Sequence, residues 1–227
     1  MGHAFEIEIK SLLGSSERAS ALKEALEKAR PDLLLAGAHR QRNHYFEAPS
    51  NLSALQKALT PYLSEEKSEA LERLLSEGRD FSVRTREADD KVIAVVKASI
   101  DEGSSANAVS RIEWEAEIST STLEELDQIL LDSGLEYQAK WSREREEYKG
   151  KDLSVTIDKN AGYGYLAEFE KVVHDEAETA PAREELLRLM EELGVEELSQ
   201  DRLERMFAYY NAHWPEYYGT EKTFTID

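Results

Sequence analysis

The 227-residue sequence contains no cysteine, which excludes disulfides and thiolate metal sites and suits a reducing compartment. It has no stretch near the roughly 18 apolar residues that a membrane span needs. No basic segment followed by an apolar one opens the chain, so neither membrane insertion nor secretion is signalled, and a cytoplasmic location is expected. Positive charge is scarce: 28 Lys and Arg stand against 47 Asp and Glu, a formal net charge of −19. Phosphate backbones are held by an excess of Lys and Arg, so a nucleic-acid partner is not expected. A small anion can still be captured where basic residues concentrate locally. Two common phosphate and metal motifs are missing as well, since the sequence has neither GxxxxGKS/T nor HExxH spacing. Gly162 to Ala167 spells GxGxxA, but it falls between two strand patterns with no helix after it, the wrong context for a dinucleotide.

With 41% hydrophobic residues the chain can build a real core. Phe5 to Lys10, FEIEIK, alternates apolar and charged side chains, the pattern of a strand with one dry face. Ser16 to Ala29 reads as a helix, Leu33 to Ala48 as extended, and Pro49 to Leu59 and Ser64 to Leu75 as two amphipathic helices. Phe81 to Glu87 and Lys91 to Ser99 form a hairpin pattern around Asp89-Asp90, and Ala108 to Ile118 reads as another strand. Thr122 to Leu131 is a predicted helix and Tyr137 to Tyr148 a long strand. Leu153 to Asp158 and Tyr165 to Val173 make a further hairpin, and Arg183 to Asn211 is predicted helical. His39 and His44 sit on an extended stretch and are expected at the surface. The tail aromatics Phe207, Tyr209, Tyr210, Trp214, Tyr217 and Tyr218 are expected to pack helices or to join two copies in a homodimer.

Side chains alternate with period two along a strand, and the charged positions share a face in each segment. Arg84 and Arg86 lie opposite Val83; Arg111, Glu113, Glu115 and Glu117 lie opposite Ile112, Trp114 and Ala116; Arg143 pairs with Arg145, and Glu168 with Glu170. Lys97 and Asp158 end their strands. Arg dominates the cations, and its rigid fork of donors matches phosphate, whereas Lys is the common surface cation. About eight strands suffice to close a sheet around one small ligand, so the expected fold is α+β, a closed eight-stranded antiparallel barrel with a charged lumen and helices outside. Cations and carboxylates enclosed together would be satisfied by a phosphate ligand and a divalent metal.

Glu6-Ile7-Glu8-Ile9-Lys10 resembles the ExExK signature of the CYTH domain, the triphosphate tunnel metalloenzymes. In order, RNHYFEAP, VRTR, Lys97, RIEWE, REREEY and IDKNAGYGYLAEFE are similar to later segments of that family, so the resemblance runs from about residue 5 to 173. Arg143 stands where the family usually has Lys, Glu47 where it has Asp, and His44 where many members carry an acid or Thr. The resemblance implies a tunnel domain at residues 1–176 with a helical insertion at about 53–78, and a helical extension at 177–227. It implies metal binding by Glu6, Glu8, Glu168 and Glu170, with a second, water-positioning metal near Asp158 and with Glu113 and Glu115 either binding metal or orienting bases. Mg²⁺ or Mn²⁺ would suit these oxygen ligands. Lys10, Arg42, Arg84, Arg86, Lys97, Arg111, Arg143 and Arg145 would grip the triphosphate, and Lys10 and Asp158 are the implied catalytic residues. The implied activity is metal-dependent hydrolysis of inorganic tripolyphosphate, thiamine triphosphate or a nucleoside triphosphate. Class IV adenylate cyclases, which convert ATP to cyclic AMP and pyrophosphate, share the family, and a non-catalytic polyphosphate or nucleotide binder would use the same grip.

Overall fold

The computed structural model describes residues 5–49, 51–99 and 111–226, without the side chains of Arg111 and Glu176. The elements follow the chain as β1 (Phe5–Gly14), α1 (Ser16–Ala29), β2 (Leu34–Glu47), α2 (Ser53–Leu59), α3 (Glu65–Glu77), β3 (Arg79–Ala88), β4 (Lys91–Ser99), β5 (Arg111–Glu117), α4 (Leu123–Asp132), β6 (Glu136–Lys149), β7 (Leu153–Asn160), β8 (Gly164–Val173), α5 (Thr179–Glu192) and α6 (Gln200–Tyr217). Residues 108–110 of the expected fifth strand lie outside the described residues. One helix boundary needs correction. The helix expected from Pro49 begins only at Ser53. The stretch expected to be helical from Arg183 to Asn211 forms two helices, because Gly194 adopts a positive φ of 70° and turns the chain while Val195 N–H closes back on the Met190 carbonyl.

The strands are ordered β1-β8-β7-β6-β2-β3-β4-β5, and each described pairing is antiparallel. The α+β class and its eight antiparallel strands are therefore present. β1 and β5 stand at the two ends of this order, and among the described residues no pairing joins them into a closed barrel.

The chain divides into two compact units. The first holds β1, α1, β2 to Arg40, β6 from Ser142, β7, β8, α5 and α6. Its core gathers Ile7, Ile9, Val155, Ile157 and Phe169 from the strands with Leu22 and Leu26 of α1 and Leu186 and Met190 of α5. The second holds β2 from Gln41, α2, α3, β3, β4, β5, α4 and β6 to Trp141. Phe46, Val83, Val96 and Trp114 there share a core with Leu55, Leu59, Leu71, Leu74, Leu123 and Leu126. Each buried Leu contributes about 1.5–3 kcal/mol, so in both units the helices hold one face of the strands dry and leave the other to the charged residues. The tail aromatics pack within the first unit: Tyr210 is fully buried against Tyr163, and Phe224 meets Tyr209 and Tyr217.

The turn between β7 and β8 depends on glycine. Gly164 has φ +75°, and a Cβ there would run into the Gly14 carbonyl at the end of β1. Gly164→Ala should therefore cost more than about 1 kcal/mol, read as a lower melting temperature, because backbone strain and the backbone contact act together. An unchanged melting temperature contradicts this reading of the turn.

Candidate functional site

In the first unit the register brings charges side by side on one face. Glu8 lies opposite Glu170 and Lys10 opposite Glu168 across β1–β8, Thr156 lies opposite Glu168 across β7–β8, and Arg145 lies opposite Asp158 across β6–β7. Arg145 donates through Nε to Asp158 Oδ1 at 2.7 Å and through Nη2 to Asp158 Oδ2 at 2.6 Å and Glu168 Oε2 at 2.8 Å. Arg143 Nη1 adds a bond to Asp158 Oδ2 at 3.0 Å. Asp158 is only 1% exposed, and two guanidiniums engage it. Lys10 pairs with Glu8 and lies 3.4 Å from Glu168. Burial works to raise the Glu168 pKa, but the charges of Lys10, Arg145 and Arg143 outweigh it and hold that carboxyl down to about 2.

Glu170 behaves in the opposite way. Burial, then the negative charges of Glu6, Glu168 and Glu147, push its pKa up. The same face thus carries one carboxylate saturated with cations and another crowded by like charge.

In the second unit the register sets Asn43 opposite Arg86, Tyr45 opposite Arg84, and Lys97 opposite Glu113. Arg84 donates to Tyr45 Oη at 2.8 Å and to Glu113 Oε1 at 2.9 Å, while its Nε is buried with no acceptor among the described residues. Arg86 donates to Glu115 at 2.9 Å and to Asn43 Oδ1 at 3.2 Å, and Lys97 lies 2.7 Å from Glu113. Glu113 feels burial raising its pKa, which the Lys97 hydrogen bond and the charges of Lys97 and Arg84 override, so its pKa is lowered. Glu113 and Glu115 are thus engaged with the bases.

Strand register sends some residues elsewhere. Arg42 sits on the opposite face of β2 from Asn43 and Tyr45, bonded to Glu87 at 2.7 Å and to Glu124 of α4 at 2.9 Å. Arg111 is placed only by its backbone, opposite Ser99. His44, expected at the surface, is 1% exposed, because it shares the core face of β2 with Phe46 and finds a buried partner in Asp127. Sequence reasoning passed over Glu147, Asn43 and Tyr45. Glu147 continues the Arg143, Arg145 alternation on β6, a signal that was present, whereas the contacts of Asn43 and Tyr45 come from cross-strand register alone.

A hard divalent cation takes oxygen ligands, and the crowding of Glu170 by Glu6, Glu168 and Glu147, which Lys149 offsets only in part, is the kind of excess negative charge that such an ion neutralises. The donor chemistry fits. Among the described residues, however, no three His, Asp or Glu side chains already converge as an ion site.

The CYTH domain profile matches residues 4–203, and the chain belongs to the CYTH domain family. Among solved structures, the fold is similar to a conserved hypothetical protein from Pyrococcus furiosus, at 19% identity and TM-score 0.57, covering 84% of this chain and 91% of that one. It is also similar to a Pyrococcus horikoshii protein, at 17% identity and TM-score 0.58 over 84% and 91% of the two chains. A candidate adenylate cyclase from Vibrio parahaemolyticus matches at 16% identity and TM-score 0.55, over 92% of this chain and 99% of that one. At these identities the likeness is one of fold. Comparison with curated proteins finds no match. Among the described residues no helix is long and apolar enough to cross a membrane.

Because the folded state lowers the Glu168 pKa from 4.5 to about 2, the stability it contributes is fully present above 4.5 and is lost as pH falls toward about 2. In chelator, the urea midpoint of the wild type should fall between about pH 5 and pH 3, and should fall less in Glu168→Gln. Parallel curves for the two proteins contradict the assignment.

Proposed function

We propose that this chain is a divalent-metal-dependent phosphohydrolase acting on a triphosphate, with inorganic tripolyphosphate, thiamine triphosphate and nucleoside triphosphates as the candidate substrates. The observation that carries this reading is the coexistence of preorganised guanidiniums with a carboxylate group short of positive charge. Arg143 and Arg145 are held by Asp158 and Glu168, and Arg84 and Arg86 by Glu113, Tyr45, Glu115 and Asn43, so the four guanidiniums are fixed in orientation before a phosphate arrives. Arg84 Nε is a buried donor for which the described residues supply no acceptor.

Phosphoryl transfer asks little covalent chemistry of a protein, and positioning with charge neutralisation carries most of the catalysis. Lys10, Arg84, Arg86, Lys97, Arg143 and Arg145 would bind the nonbridging oxygens. Arg42, tied to Glu87 and Glu124 on the helix-covered face, is left out of this set. Glu170 with Glu6 and Glu8 would hold the metal, Mg²⁺ or Mn²⁺. When bound, that ion would neutralise phosphate charge and lower the pKa of a coordinated water. Asp158, anchoring Arg143 and Arg145, would orient the grip.

The test is incubation of purified protein with tripolyphosphate, thiamine triphosphate and ATP, each with Mg²⁺ or Mn²⁺, and resolution of the products by ion-exchange chromatography. Orthophosphate supports the reading. Cyclic AMP as the product, or no product from any of the three, contradicts it. Arg86→Ala and Glu170→Gln should each lower turnover at least roughly a hundredfold. Glu170→Gln should also raise the melting temperature at neutral pH without metal. A carboxyl whose folded pKa is raised costs stability once pH exceeds that pKa, and the neutral amide removes the cost. Near-wild-type turnover in both variants contradicts the site.

A further inference from the structure

Behind the charged face of the second unit lies a buried polar cluster that the proposed reaction does not use. Asp127 of α4 is 2% exposed and accepts from Thr85 Oγ1 at 2.5 Å and from Tyr137 Oη at 2.7 Å, with His44 Nδ1 at 2.6 Å. Lys140 Nζ stands 3.8 Å away, over the Tyr137 ring. Burial raises the Asp127 pKa, and the hydrogen bonds of His44, Thr85 and Tyr137 more than reverse this, so the carboxylate is held ionised. An apolar side chain would fill this place at lower cost, and buried polar networks of this kind specify one arrangement more than they stabilise it.

The arrangement specified is the pairing of β2 with β3. His44 and Thr85 are direct cross-strand partners, flanked on the opposite face by Asn43 with Arg86 and Tyr45 with Arg84. A slip of one residue would turn every side chain of a strand to the other face and carry Arg84 and Arg86 into the core. Asp127 accepts from both members of the His44–Thr85 pair at once, which only the observed register allows. Its own position is fixed by the α4 capping box, Thr122 with Glu125, and by the buried Leu123, Leu126 and Leu130.

We infer that Asp127 is a positioning residue that locks the β2–β3 register through His44 and Thr85, and so holds the Arg84 and Arg86 guanidiniums in place for phosphate from the reverse side of the sheet. The inference rests on the proposed triphosphatase reading.

The test compares kcat and KM for tripolyphosphate with the metal that supports turnover, in Asp127→Ala, Asp127→Asn, Thr85→Val and, as a destabilised control, Leu71→Ala in the α3 core. Misplacing a binding group by about 1 Å can cost about a hundredfold. Asp127→Ala should lower kcat/KM at least about tenfold, with KM raised and kcat lowered, because Arg84 and Arg86 serve both binding and turnover. Asp127→Asn keeps an acceptor for Thr85 and can meet the other tautomer of His44, so it should stay within about threefold of wild type. Thr85→Val, which loses a single donor and answers the question even if Asp127→Ala fails to fold, should raise KM about threefold. Leu71→Ala should lower the melting temperature with KM unchanged. If Asp127→Ala or Thr85→Val leaves KM as Leu71→Ala does, the inference is overturned while the proposed function stands. If the wild type neither binds nor turns over any triphosphate, the proposed function fails and takes this inference with it.

Discussion

Opposite charges meeting on the open faces of the strands are the interaction from which the rest follows. A guanidinium or carboxylate withdrawn from water is tolerable only when paired, and removing one partner of such a pair typically costs about 3–5 kcal/mol. Arg145 with Asp158 and Glu168, and Arg84 with Tyr45 and Glu113, meet that condition through cross-strand register. The strands therefore have to be held in register by their other face, where Ile7, Ile9, Val155 and Phe169 in one unit and Phe46, Val83 and Val96 in the other meet the helices. Hydrophobic burial supplies the stability, and register converts it into charge geometry.

The pairing is deliberately incomplete. Glu168 is saturated with cations, Glu170 is crowded by other carboxylates, and Arg84 Nε has no acceptor among the described residues. These are local departures from the most stable arrangement, and such departures gather where a protein binds or transforms something. The same residues explain why function and stability pull apart here: neutralising Glu170 relieves the fold and removes the charge that would hold a metal.

Much of this was legible in the sequence because strand alternation has a period of two that charge makes visible. Phe5 to Lys10 announced β1 and its wet face, and α1 spans the predicted Ser16 to Ala29. The CYTH resemblance rested on motifs spread over most strands, and the family match covers residues 4–203. Contacts between distant segments were not legible. Whether Arg42 faces the other cations depends on the phase of β2, and the phase places it with Glu87 and Glu124 instead. His44 looked like a surface residue because nothing local marks Asp127, 83 positions later, as its partner. Glu147 was the one avoidable omission, since it continues the alternation of Arg143 and Arg145.

The central claim is that these faces take up phosphate and metal together. A crystal structure with tripolyphosphate and Mn²⁺, recorded with anomalous data, tests it most directly. The account predicts phosphate oxygens against Arg84, Arg86, Arg143 and Arg145 and an anomalous peak at Glu170. Phosphates bound elsewhere, with those four guanidiniums still engaged by their present protein partners and no peak at Glu170, would contradict it.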